Sequence, residues 1–200
     1  GCLGALVITA SHNPYNWLGL KIKSFNGCSV DESFTSEVEK RLMLGNSIEK
    51  IDGVNQLVDI KKFHLDRIKS LFDIDYISKR LKKMKLRIFV DSMHGSAANC
   101  MAEIFASSDL EVIAEIRKDA DPFFGGKPPE PLLNYADDLK QILMKNSTNE
   151  VKTLGIIFDG DGDRIAAIDE KGRYSSTQDL LPYFISYLGE IKNNSYPVLK

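Results

Sequence analysis

Three aspartates alternate with two glycines in one short segment, between two apolar runs that have the composition of β-strands. The segment is Asp159-Gly160-Asp161-Gly162-Asp163-Arg164, and the apolar runs are residues 154–158 and 165–168. Carboxylates this closely spaced repel one another unless a hard cation lies among them, and glycine lets the backbone turn tightly enough for their oxygens to converge. The segment therefore predicts a divalent metal site at the turn of a β-hairpin.

Two alternatives to this metal site remain open for the turn. A calcium-binding loop would find its closing carboxylate at Glu170, but Arg164 stands where that loop needs glycine, and strands rather than helices flank the segment. A solvated hairpin turn favours Asp-Gly for its geometry, yet one such pair would be enough. Three carboxylates leave positions for water or a phosphate oxygen, as Mg2+ prefers, and the Arg164 guanidinium suits bidentate contact with a phosphate.

A second polar segment follows the apolar run 3–8 near the start of the chain. It reads Thr9-Ala10-Ser11-His12-Asn13-Pro14 and places a hydroxyl on a turn at the end of a strand. A polar turn explains these residues by itself, because Ser, Asn and Pro all favour turns. A serine that carries a phosphoryl group needs cations around it to hold about two negative charges. The candidates to supply that positive charge are the metal ion and the side chains of His12, Lys21, Lys23 and Arg164.

Composition restricts the partners that this chain can have. Its formal net charge of −2 gives no electrostatic reason to expect nucleic acid. No apolar run approaches the roughly 20 residues that cross a bilayer, so no membrane partner is expected. Three widely spaced cysteines without a C-x-x-C pair are typical of free thiols in a reducing compartment, which predicts a cytoplasmic location. Small molecules are the expected partners.

Strand-like and helical patterns alternate along the chain, which predicts an α/β fold. The helix near residue 35 is expected to have Asp31 or Ser33 as its cap, and Pro182 is expected in the first turn of the last helix. Strands are predicted at 3–9, 20–23, 86–90, 110–116, 154–158, 165–168 and 196–200. Helices are predicted at 35–44, 96–107, 132–145 and 179–188, with two more between 63 and 84 and a break near 73–75.

These residues resemble the α-D-phosphohexomutase family, specifically its phosphoglucomutase/phosphomannomutase branch. Residues 9–14 match the phosphoserine loop of the family, and residues 159–164 match its magnesium loop. The resemblance continues through Gly19-Leu20-Lys21, residues 91–95 and residues 123–131. One departure is that Leu18 stands where the family commonly has asparagine before the Gly-x-Lys sequence.

The resemblance implies mixed-sheet α/β/α domains and an internal stretch of a four-domain enzyme. Residues 1–73 would form the later part of domain I with the phosphoserine loop, residues 74–172 would form domain II with the metal-binding loop, and residues 173–200 would begin domain III. The sugar-recognition and phosphate-binding loops of the family would lie beyond this sequence, so the fragment alone is expected to be inactive. Sugar preference and oligomeric state are not predicted from these residues.

The resemblance also implies a reaction and a set of roles. Hexose 1-phosphate and hexose 6-phosphate would be interconverted through a phosphoserine at Ser11 and a bound hexose 1,6-bisphosphate, which serves as activator and intermediate. Mg2+ would be bound by Asp159, Asp161, Asp163 and an oxygen on Ser11. Lys21 and His12 are the further catalytic candidates, Lys21 for acid–base work, and Arg164 is the phosphate-binding candidate.

Three alternatives to this function remain. Phosphoglucosamine mutase is a rival within the family. A metal-dependent sugar phosphatase would share the metal and the serine but would transfer the phosphoryl group to water. A non-catalytic carbohydrate-binding or regulatory relative would keep the fold, although the intact metal loop and serine argue against it.

Overall fold

The first sheet consists of two antiparallel strands, and the segment between them contains residues 9–14, called the serine loop below. The computed structural model describes residues 2–45, 53–107 and 113–193. Strand β1 (Gly4–Ile8) pairs with β2 (Leu20–Ser24), with Val7 opposite Lys21. The amide of Thr9 donates to the carbonyl of Gly19 at 3.0 Å and closes the base of the loop. The serine loop is therefore fixed at both ends by strand pairing.

The second sheet has five strands and is mixed, which confirms the predicted α/β class. Its spatial order is β4-β3-β5-β6-β7, in which β3 runs parallel to both β4 and β5, while β6 runs antiparallel to β5 and β7. The predicted hairpin around residues 159–164, called the metal loop below, is the β5–β6 pair. The strands are β3 (Leu86–Asp91), β4 (Ile113–Ile116), β5 (Lys152–Phe158), β6 (Ile165–Asp169) and β7 (Tyr174–Ser175).

The main core lies between this sheet and helix α5 (Asp137–Asn146). Leu139 and Leu143, four residues apart on one helix face, are both fully buried and pack in one cluster with Phe89 and Ile157 of the sheet. A second cluster holds Leu65 and Ile104 together with residues of the other helices. The other helices are α1 (Glu32–Met43), α2 (Ile60–Leu71), α3 (Ile74–Lys83), α4 (Cys100–Ile104) and α6 (Thr177–Ser186).

Aspartate side chains begin three of the helices. Asp31 accepts a hydrogen bond from the Phe34 amide at the start of α1, which confirms one of the two predicted caps. Asp73 accepts from the Tyr76 amide at the start of α3, and this cap is the break predicted near residues 73–75. Asp59 has the same role for α2.

Two predicted helices differ from the structure. The helix predicted at 96–107 is only the five-residue α4, because Asn99 has a left-handed backbone (φ 62°) and residues 96–99 form turns. The last helix begins at Thr177 rather than 179, so Pro182 is its sixth residue, and the prediction that it lies in the first turn was wrong. The overlooked start signal was the capping box of Ser176 and Asp179.

Smaller differences concern the ends of elements. The helix predicted at 132–145 is a 3-10 turn over Leu133–Tyr135 followed by α5. The strand predicted at 110–116 is described from Ile113 onward, and the strand predicted at 196–200 lies outside the described residues. Within the described ranges, every helix is too short or too polar to cross a membrane.

Candidate metal and serine site

The serine loop and the metal loop meet backbone to backbone. A Cβ atom added at Gly160 would lie 2.4 Å from the carbonyl oxygen of Ser11 and 2.9 Å from Cγ of Pro129. The Gly160 amide donates to the Pro129 carbonyl at 3.0 Å. Glycine at this position is therefore what allows residues so distant in sequence to come into contact.

The turn that follows β3 supports the metal loop from another side. The Ser96 amide donates to the Gly160 carbonyl at 3.0 Å, and a Cβ atom added at Gly95 would lie 2.6 Å from that same oxygen. Strands β3 and β5 are parallel neighbours, so the loops after them emerge at the same edge of the sheet. The parallel pairing thus brings residues 91–96 next to the metal loop.

The three aspartates of the metal loop form a compact group of oxygen ligands. One oxygen from each of Asp159, Asp161 and Asp163 lies within 4.8 Å of the others. Asp159 is fully buried; its Oδ1 accepts from the Arg164 amide at 3.1 Å, whereas its Oδ2 has no hydrogen-bond partner among the described residues. A buried carboxylate oxygen without a partner is costly unless a cation compensates it. The group therefore fits a hard divalent cation.

The pKa of Asp159 also reflects a buried negative charge that no cation compensates among the described residues. Burial, reinforced by the negative charges of Asp163 and Asp161, raises the pKa of Asp159 to about 6, despite the opposing hydrogen bond from Arg164. A cation at the group would reverse this effect, because it favours the ionised carboxylate.

Asp161 joins the metal loop to the serine loop. It accepts hydrogen bonds from three donors, each at 3.2 Å: the hydroxyls of Thr9 and Ser11 and the ammonium of Lys21. Burial acts to raise the pKa of Asp161, but the hydrogen bonds from Lys21, Ser11 and Thr9 outweigh it and lower that pKa below its ordinary value. Asp161 is thus an ionised acceptor held between the two loops.

The backbone of the serine loop orients the Ser11 hydroxyl toward the aspartates. Ser11 has a left-handed conformation (φ 55°), which costs a non-glycine residue roughly 1–2 kcal/mol. Its amide donates to Oγ1 of Thr9 at 2.9 Å, and Asn13 donates twice to the Ala10 carbonyl, through its side-chain amide at 2.9 Å and its backbone amide at 3.0 Å. These bonds stabilise the strained turn.

The three remaining candidates for positive charge differ in what they contact: His12 contacts the Ser11 hydroxyl, Arg164 contacts Glu130, and Lys23 contacts Ser29. Nδ1 of His12 is 3.3 Å from Oγ of Ser11, and Nε2 of His12 is 4.0 Å from Oε1 of Glu130. Nη1 of Arg164 lies 3.7 Å from the same Glu130 oxygen. Lys23, suggested by the sequence, instead donates to Oγ of Ser29 at 2.9 Å, farther along β2.

Sequence reasoning assigned no role to two residues of this site. Thr9 both accepts from the Ser11 amide and donates to Asp161; its place at the end of an apolar run, two residues before the serine, was the available signal. Glu130 lies between His12 and Arg164, and a carboxylate enclosed by two prolines was the only local sign of it.

Comparison with protein families gives two matches that together cover most of the chain. Residues 62–172 match the model of phosphoglucomutase/phosphomannomutase alpha/beta/alpha domain II, and residues 1–47 match the model of domain I of the same enzymes.

Individual relatives agree with these matches. The phosphoglucosamine mutase of Methanococcus vannielii is 30% identical over 192 residues, covering 94% of this chain and 41% of that protein. Phosphoglucomutase 1 of Drosophila melanogaster is 27% identical over 217 positions, covering 94% of this chain and 38% of that protein. The chain spans about two fifths of the length of the curated relatives it matches.

The solved structures support the fold. A phosphoglucomutase/phosphomannomutase family protein from Burkholderia thailandensis superimposes with a TM-score of 0.75 at 22% identity, over 94% of this chain and 38% of that one. A structure described as a phosphomannomutase from Thermus thermophilus gives a TM-score of 0.69 at 24% identity, over 86% and 38%.

Proposed function

The chain belongs to the phosphoglucomutase/phosphomannomutase family, and on that premise we propose that its protein is a phosphohexomutase that uses Ser11 as the phosphoryl carrier. The observation that carries the proposal is the 3.2 Å hydrogen bond between the Ser11 hydroxyl and Asp161, a member of the aspartate group. A serine turn alone or an acidic turn alone is common in proteins without catalytic function. The direct contact between the two favours phosphoryl transfer.

In the proposed reaction, Oγ of Ser11 attacks a phosphorus atom of a hexose 1,6-bisphosphate, which acts as activator and intermediate. The Oγ–P bond forms as the bond from phosphorus to one sugar oxygen breaks, which leaves a phosphoserine and a hexose monophosphate. In the other half of the cycle, the phosphoserine transfers its phosphoryl group to the free hydroxyl of an incoming hexose monophosphate, so that the Oγ–P bond breaks and the bisphosphate forms again. The bisphosphate then reorients, and loss of the phosphoryl group that the incoming sugar brought gives the positional isomer. The Ser11 proton leaves toward a neighbouring base, and the sugar oxygen takes up a proton. We assign these proton transfers to His12 and Lys21. Nδ1 of His12 lies 3.3 Å from Oγ of Ser11, and Lys21 donates to Asp161, which also accepts from the Ser11 hydroxyl.

We assign Mg2+ to Asp159, Asp161 and Asp163, with a phosphoserine oxygen of Ser11 as a further ligand. An all-oxygen donor set with positions left for phosphate is the arrangement that Mg2+ prefers. The bound ion supplies positive charge that stabilises the transferred phosphoryl group. Arg164 completes the set as a phosphate-binding cation, because its guanidinium matches phosphate geometry.

The proposed substrates are hexose phosphates, and three sugars require a direct test. Relatives are named both phosphoglucosamine mutase and phosphoglucomutase, so glucosamine phosphates are candidates beside glucose and mannose phosphates.

We retain the division into parts of domains I (1–73), II (74–172) and III (173–200) as part of the proposal. Three free cysteines, Cys2, Cys28 and Cys100, support the proposed cytoplasmic location.

The test is an isomerisation assay on the full-length protein with Mg2+ and a trace of hexose 1,6-bisphosphate. Glucose, mannose and glucosamine 1-phosphates are compared by 31P NMR, which separates isomers from free phosphate. Ser11→Ala is expected to abolish isomerisation and to remove the phosphoserine seen by mass spectrometry. Release of inorganic phosphate without isomer would indicate a phosphatase, and isomerisation by Ser11→Ala would contradict the serine mechanism. The 200-residue fragment is expected to give no turnover.

A further inference from the structure

Glu130 stands on an unusually constrained backbone beside the site. Its amide donates to the Pro128 carbonyl at 2.8 Å, and its flanking residues are both prolines, whose rings fix φ. Pro129 is fully buried and its carbonyl accepts from Gly160 of the metal loop, while the Pro131 carbonyl accepts from the Tyr174 hydroxyl. The chain therefore holds this carboxylate in one place relative to the metal loop.

The Glu130 side chain lies between an imidazole and a guanidinium from different loops. Its Oε1 is 4.0 Å from Nε2 of His12, which adjoins Ser11, and 3.7 Å from Nη1 of Arg164, which adjoins Asp163. Both distances are longer than those of hydrogen bonds, so the contact with the Arg164 guanidinium depends on charge more than on hydrogen-bond geometry. Within the described residues, Glu130 is the only carboxylate paired with either the His12 ring or the Arg164 guanidinium.

A carboxylate beside a phosphate site weakens anion binding, because it repels the phosphate. That repulsion is offset if the carboxylate orients side chains that stabilise the transferred phosphoryl group. Side chains that are already ordered before the substrate binds lose less conformational entropy when it binds. The Arg164 side chain is 42% exposed, so without a partner its guanidinium would sample many positions.

We propose that Glu130 is a positioning residue that holds Arg164 and His12 toward the phosphoryl group on Ser11. The inference rests on the proposed phosphoryl-transfer function. It has a distinctive signature: removal of the Glu130 charge lowers kcat, because the Arg164 and His12 side chains lose their orientation. The KM for the sugar phosphate stays the same or falls, because the local potential becomes more positive.

The test compares Glu130→Gln, which keeps the size of the side chain, with wild type and with Glu150→Gln, a control at an exposed loop position. All three are made in the full-length protein, and rates are divided by the phosphoserine content of each sample. We expect Glu130→Gln to lower kcat about tenfold, below the ~100-fold loss that a misplaced group can cause. KM is expected to be unchanged or up to about threefold lower, and the control is expected to match wild type.

A second readout does not require turnover. In protein labelled with 15N-arginine, 15N relaxation gives the order parameter of the Arg164 side-chain Nε–H, assigned with Arg164→Lys. We expect this order parameter to be lower in Glu130→Gln and equal to the wild-type value in Glu150→Gln. Wild-type kcat in Glu130→Gln, a raised KM, or an unchanged order parameter at Arg164 would each overturn the proposal. If the wild-type protein failed to isomerise any hexose phosphate, the proposed function would fall, whereas the order parameter would still decide whether Glu130 holds Arg164.

Discussion

Gly160→Ala is the substitution that tests most directly how the site is assembled. The glycine backbone does not have positive φ, so alanine is compatible with its conformation and the effect comes from contact alone. The new Cβ would lie 2.4 Å from the Ser11 carbonyl oxygen, whereas ordinary contacts begin near 3.4 Å and tight ones near 3.0 Å. The two loops must therefore separate by about 0.6–1.0 Å, because both colliding groups belong to folded loops.

This separation has two expected consequences. The Ser11–Asp161 hydrogen bond, 3.2 Å long in the structure, would lengthen beyond useful range, and a misplacement of about 1 Å can lower the rate about 100-fold. Overpacking would also lower the free energy of unfolding by about 1–3 kcal/mol. Isomerisation by the full-length protein is assayed at a temperature where the variant remains folded, which a parallel measurement of its melting temperature establishes.

Gly53→Ala is the matched control, because a Cβ atom at Gly53 would meet no atom of the described residues within 4 Å and its φ is not positive. We expect this control to retain wild-type activity. If Gly160→Ala kept activity within about twofold of wild type while folded, the view that backbone contact at residue 160 positions Ser11 would be refuted.

Three further predictions concern the metal and the core. Mg2+ at about 100 times its dissociation constant should stabilise the wild-type protein by about 2.7 kcal/mol, and Asp159→Ala should lose this stabilisation in thermal melts with and without EDTA; equal stabilisation of the variant would contradict the assignment. Asp91→Asn should lower the free energy of unfolding by about 3 kcal/mol in denaturant titration. The Arg117 guanidinium donates to Asp91 through Nε at 2.8 Å and is largely buried, so the substitution leaves it without its charged partner. A change below about 1 kcal/mol would refute this prediction. Gly155→Ala should destabilise the protein by about 1–3 kcal/mol without altering KM, because its Cβ would lie 2.7 Å from a methyl group of Leu143 in the core, away from the site; a KM change would show that the two regions are coupled.

Local patterns were sufficient to predict the elements on which the site stands. The apolar runs around the metal loop predicted β5 and β6 closely, because each run alternates or is continuously apolar for the length of one strand and is bounded by turn residues. The Asp73 break and the Asp31 cap were equally local, since a side chain there bonds an amide three residues away.

Where prediction failed, contacts distant in sequence decided the outcome. Residues 96–107 have a helical composition, but the Ser96 amide bonds Gly160, and Asn99 takes a left-handed backbone while its amide bonds Glu115. A local sequence pattern around residues 96–107 includes neither Gly160 nor Glu115, so it could not predict these two hydrogen bonds. The role of Glu130 was hidden for the same reason, because His12 and Arg164 approach it only after the loops have met.

The two loops are held together by contacts of three kinds, and these differ in what they tolerate. The contact at Gly160 is between backbone atoms and fixes the separation of the loops. Asp161 adds hydrogen bonds that depend on the state of Ser11, because a phosphorylated Oγ can no longer donate to it and brings about two negative charges beside it. Glu130 acts by charge across about 4 Å and so tolerates small movements. In the proposed mechanism, a phosphoryl group would therefore arrive and leave at Ser11 without changing the distance between the loops, because the contact that sets this distance involves neither the hydroxyl nor the carboxylates.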